Sequence, residues 1–267
     1  MILEKLREKT IVIYGTGHVA RKFYRIMQTH GLEKQVLCFV RSQKTEGEAF
    51  EGLPVFSLEE LSFREDTLIC LAVHESIREE IETMVRRKTK QYLWIYPYLY
   101  ELMFGPPEKR EIKLQVKELL SGFQEDLRLG VRLAAIEQQE GRNDWGFSCY
   151  IRAQTLHCSE ATAKRRLEQF RSLIVSWKSS GYEEASRLVL NRSYGVIDGN
   201  HRLSMAVYMG QETIYGDVYP TDLSVEEVHG REPMQSESLL LHHGFTTFET
   251  EALKRIQRNY LGVYENG

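Results

Sequence analysis

Short apolar runs and helix-like stretches alternate over residues 10–104. The runs are Ile11–Gly15, Val36–Val40, Leu53–Phe56, Leu68–Val73 and Tyr92–Tyr96. Between them, residues 18–30 bring Val19, Phe23, Ile26 and Met27 to one helical face, and residues 75–89 do the same with Ile77, Ile81 and Val85. Buried strands alternating with helices predict βαβ units around a mostly parallel sheet. Gly105-Pro106-Pro107 breaks the pattern. Beyond it, Ile112, Val116, Leu119, Phe123, Leu127, Val131 and Ala134 recur at three- and four-residue intervals, which predicts one long amphipathic helix ended by residues 140–144. Such a helix serves either as a connector packed on two domains or as a homo-oligomer contact.

The second half begins near Asn143. Ala163, Leu167, Phe170, Ile174 and Trp177 form one stripe of a helix with Ser159 as its N-cap and Gly181 past its end. Leu188–Leu190 and Tyr194–Ile197 predict a hairpin turning at residues 191–193. A helix from Asn200 to Met209, closed by Gly210, a strand over Thr213–Tyr219 and a helix over Thr247–Tyr260 complete the pattern. The last helix has Phe248, Ala252, Leu253, Ile256 and Tyr260 as its apolar positions.

The chain has 267 residues, and domains of ~100–200 residues make two more natural than one. The division predicted is residues 1–105, a helical linker over 106–142, and residues 143–267. With 42% hydrophobic and 27% charged residues, disordered and low-complexity classes are excluded. No apolar run approaches the ~18–20 residues of a membrane span, and the charged N-terminal stretch lacks a signal-peptide layout. No membrane partner and a cytoplasmic location are the expectation. The net charge of −3 gives no overall attraction to nucleic acid. Cys38, Cys70, Cys149 and Cys158 form no C-x-x-C pair, and the first two lie inside apolar runs as core residues.

Two glycine-bearing turns carry the candidate chemistry. Gly15-Thr-Gly17-His-Val-Ala20 follows a strand and opens a helix, the context of a dinucleotide-binding turn. The next strand ends in Arg41-Ser42, without the acid that would hold a ribose hydroxyl. Packing glycines, a nucleotide or nucleotide-sugar site at Gly15 and Gly17, and a dehydrogenase are the readings of this turn. The second turn is Asp198-Gly199-Asn200-His201-Arg202, between a strand and a helix. Gly199 lets the backbone turn closely, and the first amides of the helix act as anion donors. Arg202 adds a cationic fork suited to phosphate oxygens, and His201 can donate a hydrogen bond or exchange a proton. Asp198 either caps the helix or takes a metal ion accompanying a polyphosphate.

The stretch IVIYGTGHVARKFYRIM with EGLPVFSLEEL resembles the small Rossmann-like domain found at the N-terminus of sugar O- and N-acyltransferases, over residues 10–100. The β-helix repeats of those enzymes are absent, so their activity is not implied. Residues 168–219, with VIDGNHRLSMAVYMG at their centre, resemble the ParB/sulfiredoxin-like fold and its D-G-x-H-R turn. The implied fold class is α/β: an N-terminal Rossmann-like parallel sheet, a helical linker and a C-terminal α+β ParB/sulfiredoxin-like domain.

By that resemblance Asp198, Gly199, Asn200, His201 and Arg202 bind nucleotide phosphates, with Asp198 as the metal ligand. Sulfiredoxin has a cysteine where this chain has Asn200, and the chromosome-partition proteins have a Gly-Glu-Arg-Arg turn and a helix-turn-helix that are not seen. Kinases of free serine use the D-G-x-H-R form and a glutamate before the first long helix. Glu160 is the equivalent here and the candidate general base; the helix dipole alone also favours an acid at that place. The implied function is a nucleotide-dependent phosphotransferase with catalytic residues Glu160, His201 and Asp198. It would use ATP or ADP, or CTP, with Mg2+ and a hydroxylated small-molecule acceptor, a sugar or nucleotide-sugar being one option that the first domain's resemblance offers. The alternatives are a nucleotide or nucleotide-sugar sensor and, third, a nucleic-acid-binding protein.

Of the remaining polar residues, Lys164-Arg165-Arg166 reads as a solvated helix face. Arg152 and Gln154 read as part of a strand lining the same cleft. His242-His243 reads as a helix-end or loop pair, because adjacent side chains diverge. The aromatic residues Tyr92, Trp94, Tyr96, Tyr98 and Tyr100 read as a strand running into a helix, with Asp144-Trp145 anchoring the linker.

Overall fold

The computed structural model describes residues 2–42, 48–123, 126–183, 187–229 and 237–265. The chain divides into two compact units, Met1–Pro106 and Pro107–Gly267.

The first unit runs α1 (Ile2–Arg7), β1 (Thr10–Tyr14), α2 (His18–Thr29), β2 (Val36–Arg41), β3 (Ala49–Phe50), β4 (Leu53–Ser57), β5 (Thr67–Leu71), α3 (Arg78–Arg86), β6 (Tyr92–Trp94) and α4 (Leu99–Phe104). Its sheet has the order β3-β4-β2-β1-β5-β6. All neighbours are parallel except the edge pair β3–β4. The continuous apolar runs follow from burial on both faces. Ile11, Ile13, Phe39 and Cys70 face α2 and α4, against Phe23, Met27, Leu99 and Leu102. Val12, Tyr14, Cys38 and Ile69 face α3, against Ile81 and Val85. Cys38 and Cys70 are buried free thiols, and burial pushes the Cys38 thiol up to about 11 and Cys70 higher still.

The second unit runs β7 (Lys109–Gln115), α5 (Val116–Leu119), α6 (Arg128–Gln139), α7 (Gly146–Thr155), α8 (Glu160–Ser180), β8 (Leu188–Leu190), β9 (Val196–Asp198), α9 (Asn200–Tyr208), β10 (Thr213–Val218), α10 (Val225–His229), α11 (Glu237–His242) and α12 (Thr247–Glu265). The sheet order is β7-β10-β8-β9. β10 is antiparallel to β7 and parallel to β8, and β8–β9 is the antiparallel hairpin. One core joins this sheet to α6, α7, α8, α9 and α12.

Two expectations are corrected. Residues 112–134 are not one helix. Residues 109–115 form an edge strand, and Thr213, Ile214 and Tyr215 pair with Gln115, Leu114 and Lys113. The helical spacing from Ile112 to Ala134 arises because a strand, the short α5 and the start of α6 bury residues at compatible intervals. Phe248, placed on the apolar face of the last helix, is 68% exposed, whereas Ala252, Leu253 and Ile256 are buried. Among the described residues no helix is long and apolar enough to cross a membrane.

Candidate functional site

The hairpin β8–β9 delivers the chain to a corner at which β9 ends and α9 begins. Gly199 is the N-cap of α9, with φ 100° and ψ 13°. A Cβ there would stand 2.5 Å from Leu188 Cδ2. The positive φ favours glycine, and a Cβ there would also displace the Leu188 side chain. The first helical bond runs from Leu203 N–H to Gly199 C=O at 2.9 Å. The amides of Asn200, His201 and Arg202 therefore precede the hydrogen-bonded body of the helix, where the dipole is positive. Gly199 N–H donates to Asp198 Oδ1 at 2.7 Å, so the carboxylate already engages the first amide of the corner.

Arg202 reaches back over this turn. Its Nη1 lies 3.6 Å from the position of a Cβ on Gly199 and donates to the Arg187 carbonyl. Arg187 is itself braced: Nε donates to Asp217 Oδ2 at 3.0 Å and Nη1 to Glu111 Oε1 at 2.8 Å. The other Asp217 oxygen accepts the Glu111 N–H at 2.8 Å. Among the described residues no carboxylate pairs with Arg202, which holds its place by a backbone carbonyl. That is the electrostatic condition for attracting an anion to the corner.

The His201 imidazole folds back onto α7 and α8. Its Nε2 lies 2.7 Å from Tyr150 Oη. Its ring centre is 4.5 Å from that of Phe170 and 5.8 Å from that of Tyr150. Tyr150 is fully buried and stacks on Phe170 at 5.6 Å. On β9, the Ile197 carbonyl is 3.2 Å from His229 Nε2 of α10. Asn200 is half-buried, and its carbonyl accepts the Ser204 hydroxyl at 2.7 Å. The corner thus carries Asp198, Gly199, Asn200, His201 and Arg202 in sequence, with the His201 ring turned to α7 and α8 and the Arg202 guanidinium to the Arg187 carbonyl.

Glu160 is elsewhere on its helix. Ser159 caps α8 by accepting the Thr162 N–H, and Glu160 follows in the first turn. Its side chain is 65% exposed and pairs with Lys164 at 2.6 Å. The hydrogen bond from Lys164 and its charge hold the Glu160 carboxyl below the usual range. Phe170, the α8 residue against His201, lies about ten residues along, roughly 15 Å at the α-helical rise. The geometry does not join Glu160 to the corner.

No family model, curated protein or solved structure matches this chain.

In the first unit the two glycines of the earlier turn differ in cause. Gly15 has φ 113°, and a Cβ on it would stand 2.9 Å from the Ala72 carbonyl oxygen. This glycine is needed for packing of the turn against the end of β5. Gly17, the N-cap of α2, is extended and has nothing within 4 Å of a Cβ position. The turn lies at the end of β1, where the strand order reverses between β2 and β5 and where open α/β sheets place ligands. Arg41 pairs with Glu48, so its guanidinium already holds a carboxylate.

Arg152 and Gln154 are on helix α7, not on a strand. Arg152 binds Glu249 through Nη1 to Oε2 at 2.8 Å and Nη2 to Oε1 at 3.2 Å, and Nη1 also donates to the Gly244 carbonyl. Glu249 accepts the Thr246 N–H at 2.7 Å, while its own N–H donates to Thr246 Oγ1 at 3.1 Å. This reciprocal pair is a capping box for α12, docked on α7. Gln154 accepts from Arg166 at 2.9 Å. His243 N–H donates to the Leu239 and Leu240 carbonyls at the end of α11.

Tyr150, Arg187 and His229 were not legible as site residues. The spacing Cys149, Tyr150, Ala153 marks a buried helical stripe and is the available signal for Tyr150. No local pattern marks the other two.

Proposed function

We propose that the corner at residues 198–202 receives the phosphates of a nucleotide, and that the chain is a nucleotide-dependent phosphotransferase acting on a hydroxyl group of a small metabolite. The observation that carries this reading is the Arg202 guanidinium, held over a left-handed glycine at the positive end of α9 without a carboxylate partner among the described residues. The likeness of VIDGNHRLSMAVYMG to the D-G-x-H-R turn of ParB/sulfiredoxin-like proteins supports the same reading. The amides of residues 200–202 and Arg202 would hold phosphate oxygens in place, and transfer of a phosphoryl group relies on such positioning and charge neutralisation. A sugar-linked compound as a ligand of the first unit suits the domain that residues 10–100 resemble.

The donor set also fits Mg2+ of the kind that accompanies a nucleotide. Such an ion takes one or two carboxylates and completes its shell with phosphates and water. Asp198 supplies one carboxylate at the corner, and an ion there would offset its repulsion of a phosphate. Bound Mg2+ would add charge neutralisation at the phosphates.

Glu160 favours a second reading. Its ion pair with Lys164 and its distance along α8 leave the acceptor hydroxyl without the base that the kinase assignment gives it. A nucleotide or nucleotide-sugar sensor needs no such base. Isothermal titration with ATP, ADP, CTP and a UDP-sugar, each with and without Mg2+, tests the shared part. Binding that requires Mg2+ in the native chain and loses that requirement in Asp198→Asn is the expected result. Formation of a phosphorylated product from an acceptor panel supports the transferase. Mg2+-dependent binding with no product across the panel supports the sensor, and no nucleotide binding at all overturns both.

A further inference from the structure

We infer that copies of this chain associate through unlike faces, with α12 of one copy lying antiparallel on α3 of another. The inference is independent of the phosphate-binding corner.

The α12 face carries Phe248, Glu251, Arg255 and Arg258 along a shallow groove. Phe248 is 68% exposed, and its ring meets that of Trp145 edge-on at 6.5 Å. Large aromatic side chains are what an interface buries at its centre. Among the described residues Arg255 forms no ion pair, and Arg258 bonds only the Lys254 carbonyl of its own helix, at 3.4 Å. Glu251 has a surface pair with Lys254 at 3.0 Å, of a kind that contributes little. The face is aromatic and net positive.

The α3 face is its counterpart. Glu75, Glu79 and Glu80 line a second groove with Met84 and Arg87. Among the described residues none of these three carboxylates forms an ion pair. Ile77, just before α3, is 45% exposed. This face is net negative, with apolar side chains of its own.

Spacing sets the orientation. Glu80 and Arg87 are seven residues apart on α3, and Glu251 and Arg258 are seven apart on α12. Each interval places its two residues on one helical face, about 10.5 Å apart along the axis. Antiparallel helices therefore bring Glu80 to Arg258 and Arg87 to Glu251, whereas parallel helices set like charge against like. Arg255 then falls beside Thr83, one turn from both Glu79 and Glu80. Pairing α12 with α12, or α3 with α3, opposes an excess of one sign, so the mating faces are the unlike ones.

Sedimentation velocity of the full chain, across a micromolar concentration series at low and high salt, tests this. The native chain should self-associate at low salt and less so at high salt. Glu79→Lys with Glu80→Lys, and Arg255→Glu with Arg258→Glu, each oppose like charges and should weaken self-association roughly ten-fold or more. Mixed one to one, the two variants should associate again, because the native α3 of one meets the native α12 of the other. All four positions are exposed, and thermal melts by circular dichroism verify that both variants fold. A native chain that stays monomeric throughout overturns the inference without any variant. So does association that neither reversal weakens. Folded variants that fail to associate when mixed overturn the pairing of α3 with α12.

Discussion

Replacing Arg202 probes the corner most directly. Arg202→Ala removes a guanidinium that lies over Gly199 and leaves the backbone of α9 untouched. Its hydrogen bond to the Arg187 carbonyl is lost as well, and because the side chain is only partly buried that loss is discounted to about 1 kcal/mol. For a unit of this size the melting temperature should fall by about 2–4 °C, leaving a folded protein to test. Binding should suffer more. A charge-assisted hydrogen bond to phosphate contributes about 1.5–3 kcal/mol, which corresponds to roughly a 10- to 150-fold rise in Kd for MgADP. Arg202→Lys keeps the charge without the fork, and a single ammonium cannot reproduce the planar geometry that spans a carbonyl and a phosphate. It should fall between the native chain and Arg202→Ala. Calorimetric titration with MgADP at low salt measures all three. A folded Arg202→Ala that binds MgADP as tightly as the native chain refutes the reasoning.

Other consequences follow from the same geometry. Gly199→Ala meets both a positive φ and Leu188 Cδ2 at 2.5 Å, so urea titration should show a loss of about 2–4 kcal/mol; a loss below about 0.5 kcal/mol would mean that the corner is not held as described. Burial pushes the Glu249 carboxyl up, but Arg152 and the Thr246 hydrogen bonds outweigh it and hold the group below its ordinary value of 4.5. Its contribution is therefore present above pH 4.5 and disappears as the pH falls through the lowered value. Glu249→Gln should melt well below the native chain at pH 7, with the gap narrowing progressively in acid; a gap independent of pH would contradict this. Burial, with the neighbouring Glu249 charge, pushes the Cys149 thiol up to about 12, and Cys38 and Cys70 are buried too. A thiol-specific chromogenic disulfide at pH 8 should therefore titrate Cys158 alone in the native state and the other cysteines only after denaturation. Rapid modification of Cys149 in the folded protein would count against the burial on which this rests.

What the sequence made legible follows from how many faces each element buries. β1 and β5 are covered on both sides, and so is β2 beyond the exposed Leu37, so their apolar runs are uninterrupted and their limits are readable to within a residue or two. The corner itself was readable because Gly199 and Arg202 lie three positions apart in one turn. β7 had no such signal. It is an edge strand, KREIKLQ, with only Leu114 buried and its charged positions exposed. Helix α7 was misread because its buried residues, Cys149, Tyr150 and Ala153, are interrupted by polar residues at spacings that a short strand also allows. Glu160 was assigned a role from its place before a long helix. The pair with Lys164 shows that the same place is filled for local reasons, an acid at the first turn and a lysine four residues on.

The five-residue turn is local, but its geometry is imposed from a distance. Leu188 presses on Gly199 from β8, Arg187 orients Arg202 and is held in turn by Asp217 of β10 and Glu111 of β7. Tyr150 and Phe170 hold His201 from α7 and α8. The braces come from residues 187–188 at the start of β8 and from α7 and α8, and none is adjacent to the turn in sequence. A corner that served only to join β9 to α9 would need Gly199 and a cap, and nothing more. Three separate braces on one arginine, one histidine and one glycine make the side chains of the turn rigid before any ligand arrives. Rigidity of that kind lowers the entropic cost of binding and is the property a phosphate receptor requires. It also separates the two readings of the corner experimentally, since loosening a brace such as Asp217 should weaken nucleotide binding by more than its effect on stability accounts for.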